Sequence, residues 1–241
     1  MTMPQAPAAP APPPGEARTA GRGVRLLTFV GTILIIIALS ILPLLTPFFI
    51  HPALDAAGSA NLLGLTPAQA NEMSDRSLEE LVLGPGTFAF EGPSGDPFYD
   101  DAERGHLRDA RALLWIFLAL GAISAVAVVI ALALSSRARR ASIWRVVSRA
   151  GGVTTIVVVV IGIVAVVAFD TLFLLFHQIF FPAGNFAFDP GTQRLVQLYP
   201  LVMWQIAAGA LGILVFGVGA LAWLLGRYMS RRSDSSLKAP R

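Results

Sequence analysis

The stretch GVTTIVVVVIGIVAVVAFDTLFLLFHQIFF, residues 152–181, decides the fold class. It holds no Lys or Arg, and Asp170 and His177 are its only ionisable side chains. The portion from Gly152 to about Phe176 is long and apolar enough to cross a bilayer as a helix. Asp170 and His177 are seven residues apart. On a continuous helix they share a face at a separation of roughly 10 Å, so they can line one cavity without touching. An ionisable group in or near hydrocarbon is costly and usually faces a bundle interior or water, which makes both residues site candidates. A plain headgroup-level location is the competing reading. The chain then leaves the apolar run for the polar loop Phe181 to Pro200.

The rest of the composition agrees with a membrane protein. Of 241 residues, 55% are hydrophobic and 14% charged, and the mean hydropathy is +0.67, outside the range of an ordinary soluble domain. There is no Cys, which excludes disulfides, thiolate metal sites and a Cys nucleophile. The only histidines are His51, His106 and His177, so a His-rich metal site is not expected. The formal charge of +3 does not point to nucleic acid, because Lys and Arg fall in short blocks beside apolar runs, as membrane topology requires.

Three further runs, Leu26 to Ile50, Leu113 to Leu134 and Leu201 to Leu225, bring the expected spans to four. The first exceeds a signal-peptide core in length and is expected to be a retained anchor, with a kink or unwound outer end at Pro43 and Pro47. Residues 1–22, rich in Pro and Ala, are expected to be a disordered cytoplasmic tail. The connection from Ser135 to Gly151 carries Arg137, Arg139, Arg140, Arg145 and Arg149 without an acid, and residues 230–241 form a basic tail. The 51–112 segment carries eleven acids against four arginines. Both termini are therefore expected in the cytoplasm, with segments 51–112 and 177–200 extracytoplasmic, around a membrane domain at 23–229. Within 51–112, Thr66-Pro67-Ala68-Gln69 and Ser77 to Glu80 both have capping-box spacing and predict two short helices, the second ended by Gly84-Pro85-Gly86. Leu78, Leu81 and Val82 give the second an apolar stripe. Gly209, Gly212, Gly217 and Gly219 read as helix-packing positions.

This topology brings His106, just before the second span, and His177, near the end of the third, to the same membrane face. In Glu103 to Arg111, ERGHLRDAR, His106 and Asp109 have i,i+3 spacing, so the carboxylate can orient the imidazole as a general base. Arg104, Arg108 and Arg111 have three possible uses: binding phospholipid headgroups, stabilising an oxyanion, or pairing with nearby acids. No G-x-S-x-G elbow, H-E-x-x-H helix or P-loop is present, and no cofactor is required. His51, beside Pro52 at the end of the first run, reads as an interfacial residue.

The succession LTPAQANEMSDRSLEELVLGPGTFAF, FYDDAERGHLRDARALL and FDTLFLLFHQIFFPAGNFAFDPGTQRLVQLYP resembles the four-span proteins related to Lit, the lipoprotein intramolecular transacylase. The resemblance covers roughly Arg25 to Arg227. Its most specific parts are E-x-x-H-x-x-D at Glu103, His106 and Asp109, and F-D-x-L-F-x-x-F-H at Phe169 to His177 followed by G-N-F-x-F-D-P at Gly184 to Pro190. It implies an acyltransferase at the outer leaflet of a bacterial-type cell membrane, acting on the lipid-modified N-terminus of lipoproteins among membrane lipids. His106, oriented by Asp109, would be the base and His177 the acid or carbonyl-polarising group, with the reverse assignment open. Asp170 would organise the cavity or hold His177 through water. Arg104 and Arg108 would meet substrate, and Asn185 would donate to a carbonyl or close its own turn. A non-catalytic lipid-binding or scaffold protein is the alternative. A transporter is disfavoured, because polar groups gather at one end of the spans only.

Overall fold

A computed structural model describes residues 20–181, 184 and 186–238. Asn185, most of the expected N-terminal tail and the last three residues lie outside the described residues. The described chain is all-helical apart from an isolated bridge between Glu91 and Pro97. Four helical stretches, Arg22–Leu45, Asp101–Ala133, Arg137–Phe180 and Leu201–Ser233, are long and apolar enough to cross a membrane.

The first helix, α1 (Arg22–Ile41), tightens into a 3-10 turn over Leu42–Leu45 and stops at Thr46, which is extended at φ −122° and ψ 145°. Pro43 and Pro47 cause this break: each lacks an N–H, and a residue before proline is pushed out of the helical region. Pro47 then opens α2 (Pro47–Ala57), so Ile50 belongs to the next element and is buried there. Short α3 (Ser59–Leu63) follows between two left-handed glycines, Gly58 and Gly64. Next comes α4 (Pro67–Val82), capped by the expected box: the Gln69 N–H donates to Thr66 Oγ1 at 3.3 Å, and the Thr66 N–H to Gln69 Oε1 at 3.0 Å.

The second expected helix start does not exist. Ser77 is buried in the middle of α4, where its hydroxyl donates to the Met73 carbonyl at 2.7 Å and meets the Tyr99 hydroxyl at 2.8 Å. Nothing in QANEMSDR breaks a helix, so the capping-box pattern there is coincidental and the segment is one helix of 16 residues. Leu78 is buried and Leu81 packs against the same core.

The remaining elements are α5 (Asp101–Ala133), α6 (Arg137–Phe180), α7 (Arg194–Leu198) and α8 (Leu201–Lys238). The basic segment expected to connect the second and third spans is itself helical. Ile143, Val146, Val147 and Ala150 recur at helical spacing and are buried, which carries α6 back to Arg137. Arg140 closes the turn by donating from Nε to the Leu132 carbonyl at 2.7 Å and from Nη2 to the Ala133 carbonyl at 3.0 Å.

The spanning helices pack as two pairs, α1 on α5 and α6 on α8. Small residues let their backbones approach. A Cβ on Gly121 would lie 2.5 Å from that of Ala38, and one on Gly151 would lie 2.6 Å from both the Gly219 carbonyl and the Trp223 N–H. Gly226 is equally confined against Ser148, whose hydroxyl donates to the Trp223 carbonyl at 2.9 Å. Of the four glycines expected to pack in the last span, only Gly219 does so; Gly209, Gly212 and Gly217 have nothing within 4 Å of a Cβ. Spacing on a helix shows which residues share a face, but not which face meets a neighbour.

The main apolar cluster lies at one end of this bundle. Ile50, Leu54, Leu63, Met73, Leu78, Phe88, Phe98, Tyr99, Leu107, Leu195, Leu198 and Met203 form it, with residues from α2 to α5 and α7 to α8. The spans themselves leave apolar side chains such as Val166 and Val167 almost fully exposed, the surface that lipid tails cover. Replacing Gly151 or Gly219 with Leu should cost about 1–3 kcal/mol by overpacking. Thermal unfolding in detergent should show a lower midpoint for either variant and an unchanged one for Gly212→Leu.

Candidate active site

The site is built where α5 begins and α6 ends. Asp100 caps α5: it accepts from the Glu103 N–H at 2.8 Å, and Glu103 Oε2 accepts from the Asp100 N–H at 2.7 Å. The second Glu103 oxygen accepts from the Leu195 N–H at 2.6 Å, at the first turn of α7. Glu103 is 2% exposed, so this carboxylate is a buried clamp between two helix starts rather than a surface charge. Around it, Gln193 Nε2 donates to Asp100 Oδ2 at 2.9 Å, and the Arg194 guanidinium lies 5.5 Å from the centre of the Phe98 ring. Burial opposes ionisation of Asp100, but the N–H donors of Glu103 and Ala102 and the Gln193 amide outweigh it and hold its carboxyl below the ordinary value.

Glu103 and His106 are buried on the face of α5 that meets α7 and the loop before it. His177 occupies the last turn of α6. The two imidazoles stack nearly parallel, with centroids 5.8 Å apart and planes 16° apart. The expected convergence of two histidines from two helices is therefore present. Phe181 touches both rings, at 4.4 Å from His106 and 5.4 Å from His177. Phe188 lies edge-on to His106 at 5.4 Å, and Phe173 and Phe186 lie 4.3 and 5.3 Å from His177. Such walls lower the local dielectric and strengthen any hydrogen bond made inside them.

His177 Nδ1 donates to the Phe173 carbonyl at 2.8 Å. A carbonyl only accepts, so the neutral ring carries its proton on Nδ1 and offers its lone pair at Nε2. Asp109, one turn beyond His106, is exposed. Asp170 is also exposed, two regular turns before His177 and just past a break in α6 at Ala168, which has φ −139° and ψ 34°. The structure thus brings His106 against His177 and leaves Asp109 and Asp170 exposed. Arg104 pairs with Asp101, and Arg111 donates to the Glu80 carbonyl, while Arg108 is exposed. His51 pairs with Asp75 at 2.8 Å, tying α2 to α4.

Glu103, Phe173, Phe186 and Phe188 stood in the motifs that carried the resemblance, but the sequence reading gave them no role beside the histidines, and Phe181 lay outside those motifs. Six Phe within sixteen residues, Phe173 to Phe188, were the available signal. Beneath the site, the Tyr99 and Tyr199 hydroxyls meet Ser77 and Ser74 at 2.8 and 3.1 Å. Burial pushes Tyr199 up to about 12 and Tyr99 well above its ordinary value. Among the described residues no three His, Asp or Glu gather to hold a metal ion.

These features define a polytopic helical membrane protein with a paired-histidine site at one end of its bundle. Residues 24–204 match the family described as lipoprotein intramolecular transacylase Lit, and the chain belongs to that family. No curated protein matches it in sequence. Its fold is that of the membrane-integral lipoprotein intramolecular transacylase Lit from Bacillus cereus, with a TM-score of 0.73 at 18% identity over 89% of this chain and 97% of that one. A variant of the same Bacillus cereus protein with one histidine replaced by arginine gives a TM-score of 0.71 at 18% identity, over 89% and 94% of the two chains.

Glu103→Ala should leave the buried Leu195 N–H without its acceptor, at about 1–3 kcal/mol, and so lower the unfolding midpoint; Glu103→Gln should lower it less. The tyrosines predict an alkaline limit. Between pH 10 and about 12 the folded chain binds more protons than the unfolded one, so stability falls as pH rises through that window. Unfolding midpoints at pH 9 and 11 should differ less in Tyr199→Phe than in the parent protein.

Proposed function

We propose that this protein is an intramolecular acyltransferase of membrane lipoproteins, working between His106 and His177 on the extracytoplasmic side with both termini cytoplasmic. The observation that carries the reading is the stack of two imidazoles at 5.8 Å, supplied by two different helices. Membership of the Lit family supports the reaction class. The charge asymmetry supports the orientation: acids crowd residues 51–112, on the side of the histidines, and arginines crowd residues 135–151 at the other end. In this arrangement the membrane domain spans 23–229, and the 51–112 segment caps the site.

The substrate is a lipoprotein whose N-terminal cysteine bears a diacylglyceryl thioether. Its α-amine attacks an ester carbonyl of its own glyceryl group, so a C–N bond forms and the acyl C–O bond breaks. Attack within one molecule requires positioning more than a strong nucleophile. The amine proton passes to a histidine, and the departing glyceryl oxygen receives a proton, leaving an N-acyl lyso-form lipoprotein. His177 suits the proton-accepting role: Nε2 carries the lone pair, and the positive charge that develops meets the Phe173 carbonyl at the C-terminal end of α6. His106 then polarises the carbonyl or protonates the leaving oxygen. This reverses the assignment that the sequence favoured, because spacing showed Asp109 near His106 but could not show the Phe173 hydrogen bond. Asp109 and Asp170 tune the charge around the pair, and Arg108 meets the lipid headgroup; Arg104, held by Asp101, contributes less. No cofactor or metal takes part.

Mass spectrometry of a reporter lipoprotein's N-terminal peptide tests this in cells lacking other N-acylating enzymes. Expression should shift the peptide from the diacylglyceryl to the N-acyl lyso-form. His177→Ala and His106→Ala should each reduce conversion about a hundred- to ten-thousand-fold without unfolding the protein. Unchanged conversion in either variant would sink the paired-histidine mechanism, and no shift with the folded parent would sink lipoprotein transacylation in that host.

A further inference from the structure

At the end of the bundle opposite the histidines, a cleft of about 750 Å³ opens between α1 and α6, lined by Ala20, Gly21, Arg22, Arg25, Leu26, Phe29, Val146 and Arg149. Its composition is divided. Arg22, Arg25 and Arg149 supply cationic groups at the rim, and Leu26, Phe29 and Val146 supply an apolar wall. Arg25 immediately precedes the apolar run of α1, and Arg149 is the last charged residue before that of α6. The cleft therefore lies at the boundary between headgroups and hydrocarbon.

The helices that carry the three charges supply no acid beside them. α1 contains no acid, and α6 has none before Asp170. Among the described residues none of the three arginines forms an ion pair. Residues 1–19 carry one acid, Glu16, and one base, Arg18, so they bring no net negative charge to the cleft. Arginine presents a planar fork of donors that matches phosphate oxygens in a bidentate way, and its stem lies easily along apolar surface.

We propose that this cleft binds one anionic phospholipid of the cytoplasmic leaflet, its phosphate between Arg22, Arg25 and Arg149 and the start of an acyl chain along Leu26, Phe29 and Val146. The site is remote from the histidines, and the proposal does not depend on the reaction assigned to them. Each arginine near a membrane surface strengthens binding of an anionic lipid about fivefold.

The test is native mass spectrometry of the full-length protein in neutral detergent, titrated with phosphatidylglycerol, with phosphatidylcholine of the same chains, and with inorganic phosphate. The parent protein should retain phosphatidylglycerol in preference to phosphatidylcholine and should not lose it to inorganic phosphate. Arg22→Gln, Arg25→Gln and Arg149→Gln should each weaken retention about fivefold, and the triple variant should abolish the preference. Arg137→Gln with Arg139→Gln, removing two exposed charges from the same end, should keep it. If the triple variant does not stay folded, the single variants carry the test. Equal retention of the two lipids, displacement by inorganic phosphate, or the same loss in the Arg137/Arg139 control would each overturn the proposal.

Discussion

The Glu103 carboxylate is the constraint on which the histidine end of the molecule depends. One oxygen closes the first turn of α5 and the other closes the first turn of α7, ninety-two residues further along the chain. A buried carboxylate is tolerated only when its lone pairs are used, and here the donors are backbone N–H groups that themselves need acceptors. Satisfying both helix starts with one side chain fixes the segment after α6 against α5. That segment includes Phe188, which stands against His106. The position of the paired rings therefore follows from a hydrogen-bonding requirement three residues away, with Gln193, Arg194 and Tyr199 adding further ties to the same segment.

Two packing regimes meet at this point. Within the bundle no hydrophobic driving force brings apolar helices together, so contact depends on Gly31, Gly121, Gly151, Gly219 and Gly226, where backbone or Cβ atoms of a neighbour fill the space a side chain would take. In the cap, water drives the burial of Leu54, Met73, Phe88, Phe98 and Tyr99 as in any soluble domain. α5 takes part in both, because its first turns belong to the cap and its remainder to the bundle. His106 lies where the two regimes join.

Length and periodicity made the four long helices legible, and the charge pattern suggested that His106 and His177 share an end. These are properties of runs of residues, which survive any detail of packing. Most of the features that the sequence concealed depend on partners far along the chain. Glu103 stood in a motif without a role, since nothing local shows that Leu195 returns to it. Ser77 to Glu80 satisfied a capping pattern inside a continuous helix, where the Ser77 hydroxyl is taken up by Met73 and Tyr99 instead. Gly209, Gly212 and Gly217 have the same local character as Gly219, and only the neighbours Gly151 and Thr155 distinguish it from them. The tautomer of His177 rests on a carbonyl four residues back, whose availability depends on the local helix geometry.

The short turn between α5 and α6 has a mechanical consequence. These helices barely touch along their length, α5 packing mainly on α1 and α6 mainly on α8, and they are joined at the end far from the histidines. With 33 residues, α5 is about 50 Å long, so a tilt of roughly 5° about the turn would move its far end by roughly 4 Å. The two rings thus sit at the tips of a pair of tongs, and the cap, rather than the hinge, is what sets their grip.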